Sequence, residues 1–98
     1  MAKGYWITFY RSISNPAALV EYAKQATPAI LGNGGRFLAR GIPARHYEAG
    51  LDQRAAVVIE FDTVQQAIAA HESPEYQAAK KLLEGAVERD IRIVEGVS

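Results

Sequence analysis

Apolar residues recur along this chain with two periods, two and about 3.6, and the switches between them mark the elements. From Gly4 to Tyr10, the set Tyr5, Ile7, Phe9 alternates with Trp6, Thr8, Tyr10, which predicts a strand with large side chains on both faces. Asn15 and Pro16 then read as a helix cap and first helical residue. Leu19, Tyr22, Ala23, Ala26 and Ile30 follow at spacings of three and four, one apolar stripe on a helix. Pro28 lies inside that stretch; it cannot donate to the Lys24 carbonyl and is expected to kink or shorten the last turn. Gly32-Asn33-Gly34-Gly35 ends the helix.

Arg36 to Arg40 predicts a shorter strand, with Phe37 and Ala39 opposed to Arg36, Leu38 and Arg40. Gly41 and Pro43 break it, and Arg45 to Glu48 is a candidate further strand of a ribbon, turned by Ala49-Gly50. Ala55 to Phe61 is the most apolar run, a central strand with one carboxylate, Glu60, set into it. Thr63 and Gln66 fit a capping box, with Val64, Ala67, Ile68 and His71 as the buried side of the helix. Ser73-Pro74-Glu75 restarts a helix that turns Tyr76, Ala79, Leu82 and Leu83 inward and closes at Gly85. Asp90 to Glu95 predicts the last strand, with Ile91 and Ile93 against Arg92 and Val94.

The order β-α-β-(β)-β-α-β predicts one α+β domain over residues 1–98, a ferredoxin-like sandwich with both helices on one face of the sheet. If Tyr5, Ile7 and Phe9 pack under the helices with Val57, Ile59, Phe61, Ile91 and Ile93, the opposite face carries Trp6, Thr8, Tyr10, Val58, Glu60, Arg92 and Val94. Either assignment leaves an apolar patch in a lone subunit. A second copy packing sheet against sheet would cover it, so a two-fold homodimer is expected.

Composition narrows the function classes. Eleven basic and eleven acidic residues give a formal net charge of zero, and the basic residues are scattered, which argues against nucleic acid as a partner. There is no cysteine, so disulfide, thiolate and zinc-thiolate chemistry is excluded. No apolar run of signal-peptide or membrane-spanning length is present, so a cytoplasmic protein with no membrane partner is expected. Neither a cofactor nor a metal is called for: two histidines without cysteine make a poor metal site. Gly32 to Gly35 follows a helix and lacks a Gly-Lys-Ser/Thr ending, so it is not a phosphate loop.

Glu60 is the residue whose setting asks for a role. A carboxylate half-buried among apolar neighbours would have a raised pKa and could serve as acid or base. The alternative is a carboxylate paired across the sheet with Arg92 or Arg40, whose guanidinium forks suit either that pairing or an anionic ligand. Trp6 and Tyr10 could floor a pocket for an aromatic ligand or anchor a dimer interface. His46, in the irregular middle ribbon, is a candidate ligand contact or an inert exposed side chain. His71 is read as packing on Tyr76 rather than as an iron ligand. Together, Glu60 as catalytic candidate and Trp6, Tyr10, Arg40, His46 and Arg92 as substrate-binding candidates define the expected site.

Five segments, in order, resemble one family. They are Gly4-Tyr5-Trp6-Ile7, Gly34 to Gly41, Val58-Ile59-Glu60-Phe61, Ser73-Pro74-Glu75-Tyr76-Gln77 and Ile93-Val94-Glu95-Gly96-Val97. The family is domain of unknown function 1330, within the dimeric α+β barrel superfamily. The resemblance implies a ferredoxin-like subunit that dimerises through its sheets into a barrel, and it implies no activity. The wider superfamily includes cofactor-independent monooxygenases, lactone isomerases and haem enzymes. Two readings stay open: a homodimer that binds a small organic molecule, or a cofactor-independent enzyme of monooxygenase or isomerase type on a small aromatic or carbonyl substrate, with Glu60 as acid or base.

Overall fold

The computed structural model describes residues 2–48 and 55–97. Its elements run β1 (Gly4–Ile13), α1 (Pro16–Gly32), β2 (Arg36–Gly41), β3 (Ala56–Phe61), α2 (Val64–Glu72), α3 (Pro74–Lys80), a 3₁₀ turn (Lys81–Leu83) and β4 (Val87–Glu95). Among the described residues the strands form an antiparallel sheet in the order β2-β3-β1-β4. The helices cover one of its faces, giving the α+β, ferredoxin-like architecture that the element order predicts.

Local signals set the helix ends. Asn15 Oδ1 accepts the Ala18 N–H at 3.2 Å, with Pro16 just inside the helix. Asn33 caps the other end, and Gly34 then turns the chain with φ +92°, a conformation glycine adopts without strain. The helix runs on through Pro28 to Gly32, so the proline does not shorten it. Thr63 Oγ1 accepts the Gln66 N–H at 3.1 Å, while the Gln66 side chain accepts from the Asp62 N–H. Ser73 joins two helices: its hydroxyl donates to the Ala70 carbonyl at 2.8 Å and accepts the Tyr76 N–H at 3.2 Å.

The face of β1 is opposite to the one expected. Trp6, Thr8 and Tyr10 lie buried under the helices, and Tyr5, Ile7 and Phe9 line the open face. Register decides it. Trp6 pairs with Ile59 and Thr8 with Val57, and residues directly opposite share a face, so β1 follows the β3 side that the helices cover. Thr8, the one polar member, is satisfied there by the Trp6 indole N–H at 2.9 Å. The core joins Trp6, Ile59 and Phe61 of the sheet to Tyr22, Ala26 and Ile30 of α1, Ala67 and Ala70 of α2, and Tyr76, Ala79 and Leu83 beyond. Ile68 and Leu82, expected inside, are partly exposed; Ala70 takes the buried place on α2, and the 3₁₀ turn carries Leu83 inward instead of Leu82.

Three further differences bear on the site. First, β4 begins at Val87 rather than Asp90, which brings Arg89 into the sheet opposite Tyr10. Second, β2 shifts register between Phe37 and Ala39, so Arg36 pairs with Glu60 while Arg40 pairs with Val57. That irregularity puts Arg40 on the helix side with Phe37, its guanidinium 4.7 Å from the ring centroid, and not on the Arg36 side. Third, residues 42–48 form no strand; the rest of the supposed ribbon turn lies outside the described residues.

Candidate functional site

The helices do not sit on the sheet evenly. Helix α2 lies directly against β1, β3 and β4, whereas α1 rests on α3 and the 3₁₀ turn. The stripe that α1 turns towards the sheet is short in its middle, at Ala23 and Ala26, between the longer Leu19, Tyr22 and Ile30. A pocket of about 520 Å³ is left between α1 and the sheet. Trp6, Thr8, Val57 and Ile59 form its floor, Phe37 and Arg40 come from β2, and Tyr10, Tyr22 and Arg89 reach it from β1, α1 and β4. Exposed Val20, Lys24, Arg40 and Gly41 mark the mouth. The lining is mainly apolar with a few polar groups, as small-molecule sites are.

Three of the polar groups, Tyr10, Tyr22 and Arg89, belong to one cluster. The Arg89 guanidinium donates to the hydroxyls of Tyr10 at 3.3 Å, Tyr22 at 3.2 Å and Tyr76 at 2.9 Å. It also lies over the Tyr22 and Tyr10 rings, 5.1 and 5.7 Å from their centroids. The Tyr22 and Tyr76 hydroxyls are 2.8 Å apart, so one donates to the other. Burial pushes the Tyr22 phenol well above its ordinary pKa, with Tyr76 adding to the effect and Arg89 opposing it. Burial raises Tyr10 as well. Both phenols are therefore O–H groups near neutral pH. Behind them His71 packs against Trp6 and Tyr76, with ring centroids 5.1 Å away in each case. Burial lowers its pKa, helped by the charges of Lys80 and Arg89.

The expected site residues fall into three groups. Trp6, Tyr10 and Arg40 come together in the pocket. Glu60 and Arg92 lie on the other face of the sheet, where Glu60 aligns with Tyr5 and Arg92 with Ile7. His46 is exposed in the irregular segment after β2. Trp6 and Tyr10 are thus under the helices and do not belong to the open face on which an interface was expected.

Glu60 is paired with neither Arg92 nor Arg40. It accepts the Tyr5 hydroxyl at 3.0 Å and the Arg36 Nε–H at 3.0 Å, and the same guanidinium reaches Asp62 at 3.1 Å. Its side chain is 18% exposed. The Tyr5 hydrogen bond, then Arg36, hold its carboxyl below the usual glutamate range, opposite to the raised pKa expected of a carboxylate among apolar neighbours.

The pocket residues missed from sequence are Arg89 and Tyr22. The signal for Arg89 was present: Val87, Arg89, Ile91 and Ile93 alternate in one unbroken series. Among the described residues no group of three or more His, Asp or Glu side chains could hold a metal ion. None of their helices is long and apolar enough to cross a membrane.

Fold and pocket together define a small α+β protein of the ferredoxin-like kind with a cavity between helix and sheet. The chain belongs to the family described as domain of unknown function (DUF1330), whose model matches residues 3–97. No curated protein sequence matches it significantly. Solved structures share the fold at low identity. A protein of unknown function from Rhodopseudomonas palustris is 14% identical with a TM-score of 0.71, over 99% of this chain and 84% of that one. A dimeric ferredoxin-like protein of unknown function from Thermobifida fusca is 16% identical with a TM-score of 0.67, over 96% and 91%. SnoaB, a cofactor-independent oxygenase from Streptomyces nogalater, is 9% identical with a TM-score of 0.70, over 100% and 96%.

Proposed function

We propose that this chain works in the cytoplasm as a homodimer, joined sheet to sheet, that binds a small organic molecule in the pocket under α1. The observation that carries the binding reading is the pocket itself: about 520 Å³, mainly apolar, with the Arg89 cluster inside it. Trp6, Tyr10 and Arg40 contact the ligand in this reading, joined by Tyr22 and Arg89. Native mass spectrometry of freshly purified protein tests it. A dimer carrying extra mass is the expected result, and a subunit mass without ligand after purification and after exposure to small-molecule mixtures would count against it.

The dimer reading rests on the open face. Tyr5, Ile7, Phe9, Val58 and Val94 lie together there, and Phe9 is 49% and Val94 47% exposed in the single chain. Two of the proteins that share the fold are described as dimeric. Phe9→Glu is expected to give a monomer at low micromolar concentration by light scattering, with the helix face intact; a dimer of unchanged stability would place the interface elsewhere.

A second reading, cofactor-independent oxygenation or isomerisation, is supported by the likeness in fold to SnoaB. In that reading Glu60 is a poor base: it faces away from the pocket and its pKa is lowered. No carboxylate or histidine lines the pocket among the described residues. Any activity there would rest on hydrogen-bond donors that stabilise a developing oxyanion. Turnover of a carbonyl or phenolic substrate that survives Glu60→Gln and fails in Arg89→Met would support it.

A further inference from the structure

Among the described residues, the Arg89 cluster has more donors than acceptors. A guanidinium carries five N–H groups, and those of Arg89 make three hydrogen bonds, all to phenol oxygens. Three phenols bring three more O–H groups, of which the Tyr22–Tyr76 contact uses one. Among the described residues, no carboxylate pairs with Arg89. Its acidic neighbours on β4 are committed elsewhere: Glu88 accepts from the Ser12 hydroxyl, and Asp90 pairs with Arg11 at 3.3 Å. A half-buried cation ringed by hydroxyls and lacking an anion is a costly arrangement unless an acceptor arrives from outside. Tyr10, Tyr22 and Arg89 all border the pocket, so an acceptor bound there would meet all three.

We infer that the ligand is a small organic acid, its carboxylate held by Arg89 with the Tyr10 and Tyr22 hydroxyls and its apolar body lying on Trp6, Val57 and Ile59 towards Arg40. The guanidinium fork matches a carboxylate, and the phenols supply donors around it. Arg40, with Thr27 Oγ1 at 3.3 Å and the Phe37 ring beneath it, sits at the mouth and adds positive potential to the entrance. The inference rests on the pocket being a binding site and adds the chemical class of what it binds.

Trp6 is the single tryptophan of the chain and borders the pocket, so its fluorescence reports occupancy directly. The test titrates the protein with 4-phenylbutyrate, decanoate and 2-phenylacetate, each beside its neutral amide. A charged hydrogen-bonded contact is worth about 10- to 100-fold in affinity. Each acid that binds is expected to do so at least tenfold more tightly than its amide. In Arg89→Met the ratio of acid to amide affinity is expected to fall to about one; in Tyr22→Phe, which keeps the ring, it shrinks. Amides binding as well as acids, or an acid preference that survives Arg89→Met, would overturn the acid assignment and leave the pocket reading standing. Absence of binding by every acid and amide would overturn both. If Arg89→Met does not fold, the Tyr22→Phe comparison decides alone.

Discussion

Two arginines on this sheet anchor hydrogen-bonded clusters on opposite faces, and they differ in their partners. Arg36 has acids: Glu60 at 3.0 Å and Asp62 at 3.1 Å, with the Tyr5 hydroxyl closing on Glu60 from the other side. Arg89 has three phenols and, among the described residues, no acid. With Lys3 Nζ 3.8 Å from Asp62, the first cluster sets two cations against two carboxylates, and it ties β2, β3 and β1 into one register. The second is left in surplus, and it opens on a pocket. A charged group explained by its neighbours is holding the fold; one left unexplained is the better place to look for a ligand.

The largest effect is expected at the floor beneath the Arg89 cluster. Trp6→Ala removes a fully buried indole that touches Phe61, His71 and Tyr76, and is expected to cost about 3–5 kcal/mol in urea unfolding. A loss below about 1 kcal/mol would mean that Trp6 is not packed under the helices. Next come the two arginines themselves. Arg36→Met leaves Glu60 without its cation and lowers the melting temperature, whereas Arg89→Met strands no carboxylate among the described residues and is expected to lower it less. A larger loss for Arg89 than for Arg36 would reverse the assignment of the two clusters.

Acid sharpens the same contrast. The folded-state pKa of Glu60 is depressed, so below the ordinary glutamate range the unfolded chain binds the proton that the folded chain refuses. Stability from this group is complete above that range and is lost as pH falls through the folded value. Glu60→Gln is expected to flatten that acid limb in denaturation curves taken from pH 5 to pH 3; an unchanged limb would show that the pairing is not maintained in solution. Tyr10 and Tyr22 add no slope near neutrality, because burial holds both phenols above their ordinary range. The smallest effect belongs to His71, also depressed: stability declines as pH drops below the ordinary histidine value towards the folded one, and His71→Gln removes that decline.

Much of the fold could be read from the chain, because its punctuation is local. Asn15-Pro16, Thr63 with Gln66, Ser73-Pro74 and Gly34 each act within a few residues of themselves, and each does what its chemistry requires. The errors that bear on the site concern the strands and their register. Both sides of β1 are apolar and aromatic, so alternation alone could not choose between Trp6 and Tyr5; pairing with β3 did. Glu60 was conspicuous, yet its partners depend on which residues the register sets opposite it. Arg40 changed sides through one irregularity in β2. Arg89 was hidden because Glu88-Arg89-Asp90 looks like a solvated turn until the alternation of β4 is followed back to Val87.

The central place of β1 in the sheet has a consequence for the order in which the molecule can be built. Its neighbours on either side are β3 and β4, so an early-synthesised strand waits for two late ones. Tyr10 meets Arg89 across a separation of 79 residues. Closing such long loops before their contacts reward it slows folding. A nascent chain that has not yet emerged as far as residue 87 holds β1 with one edge unpaired, and its aromatic side only partly sheltered. Such an unpaired edge is a template for aggregation, so the docking of β4 is the step that closes it.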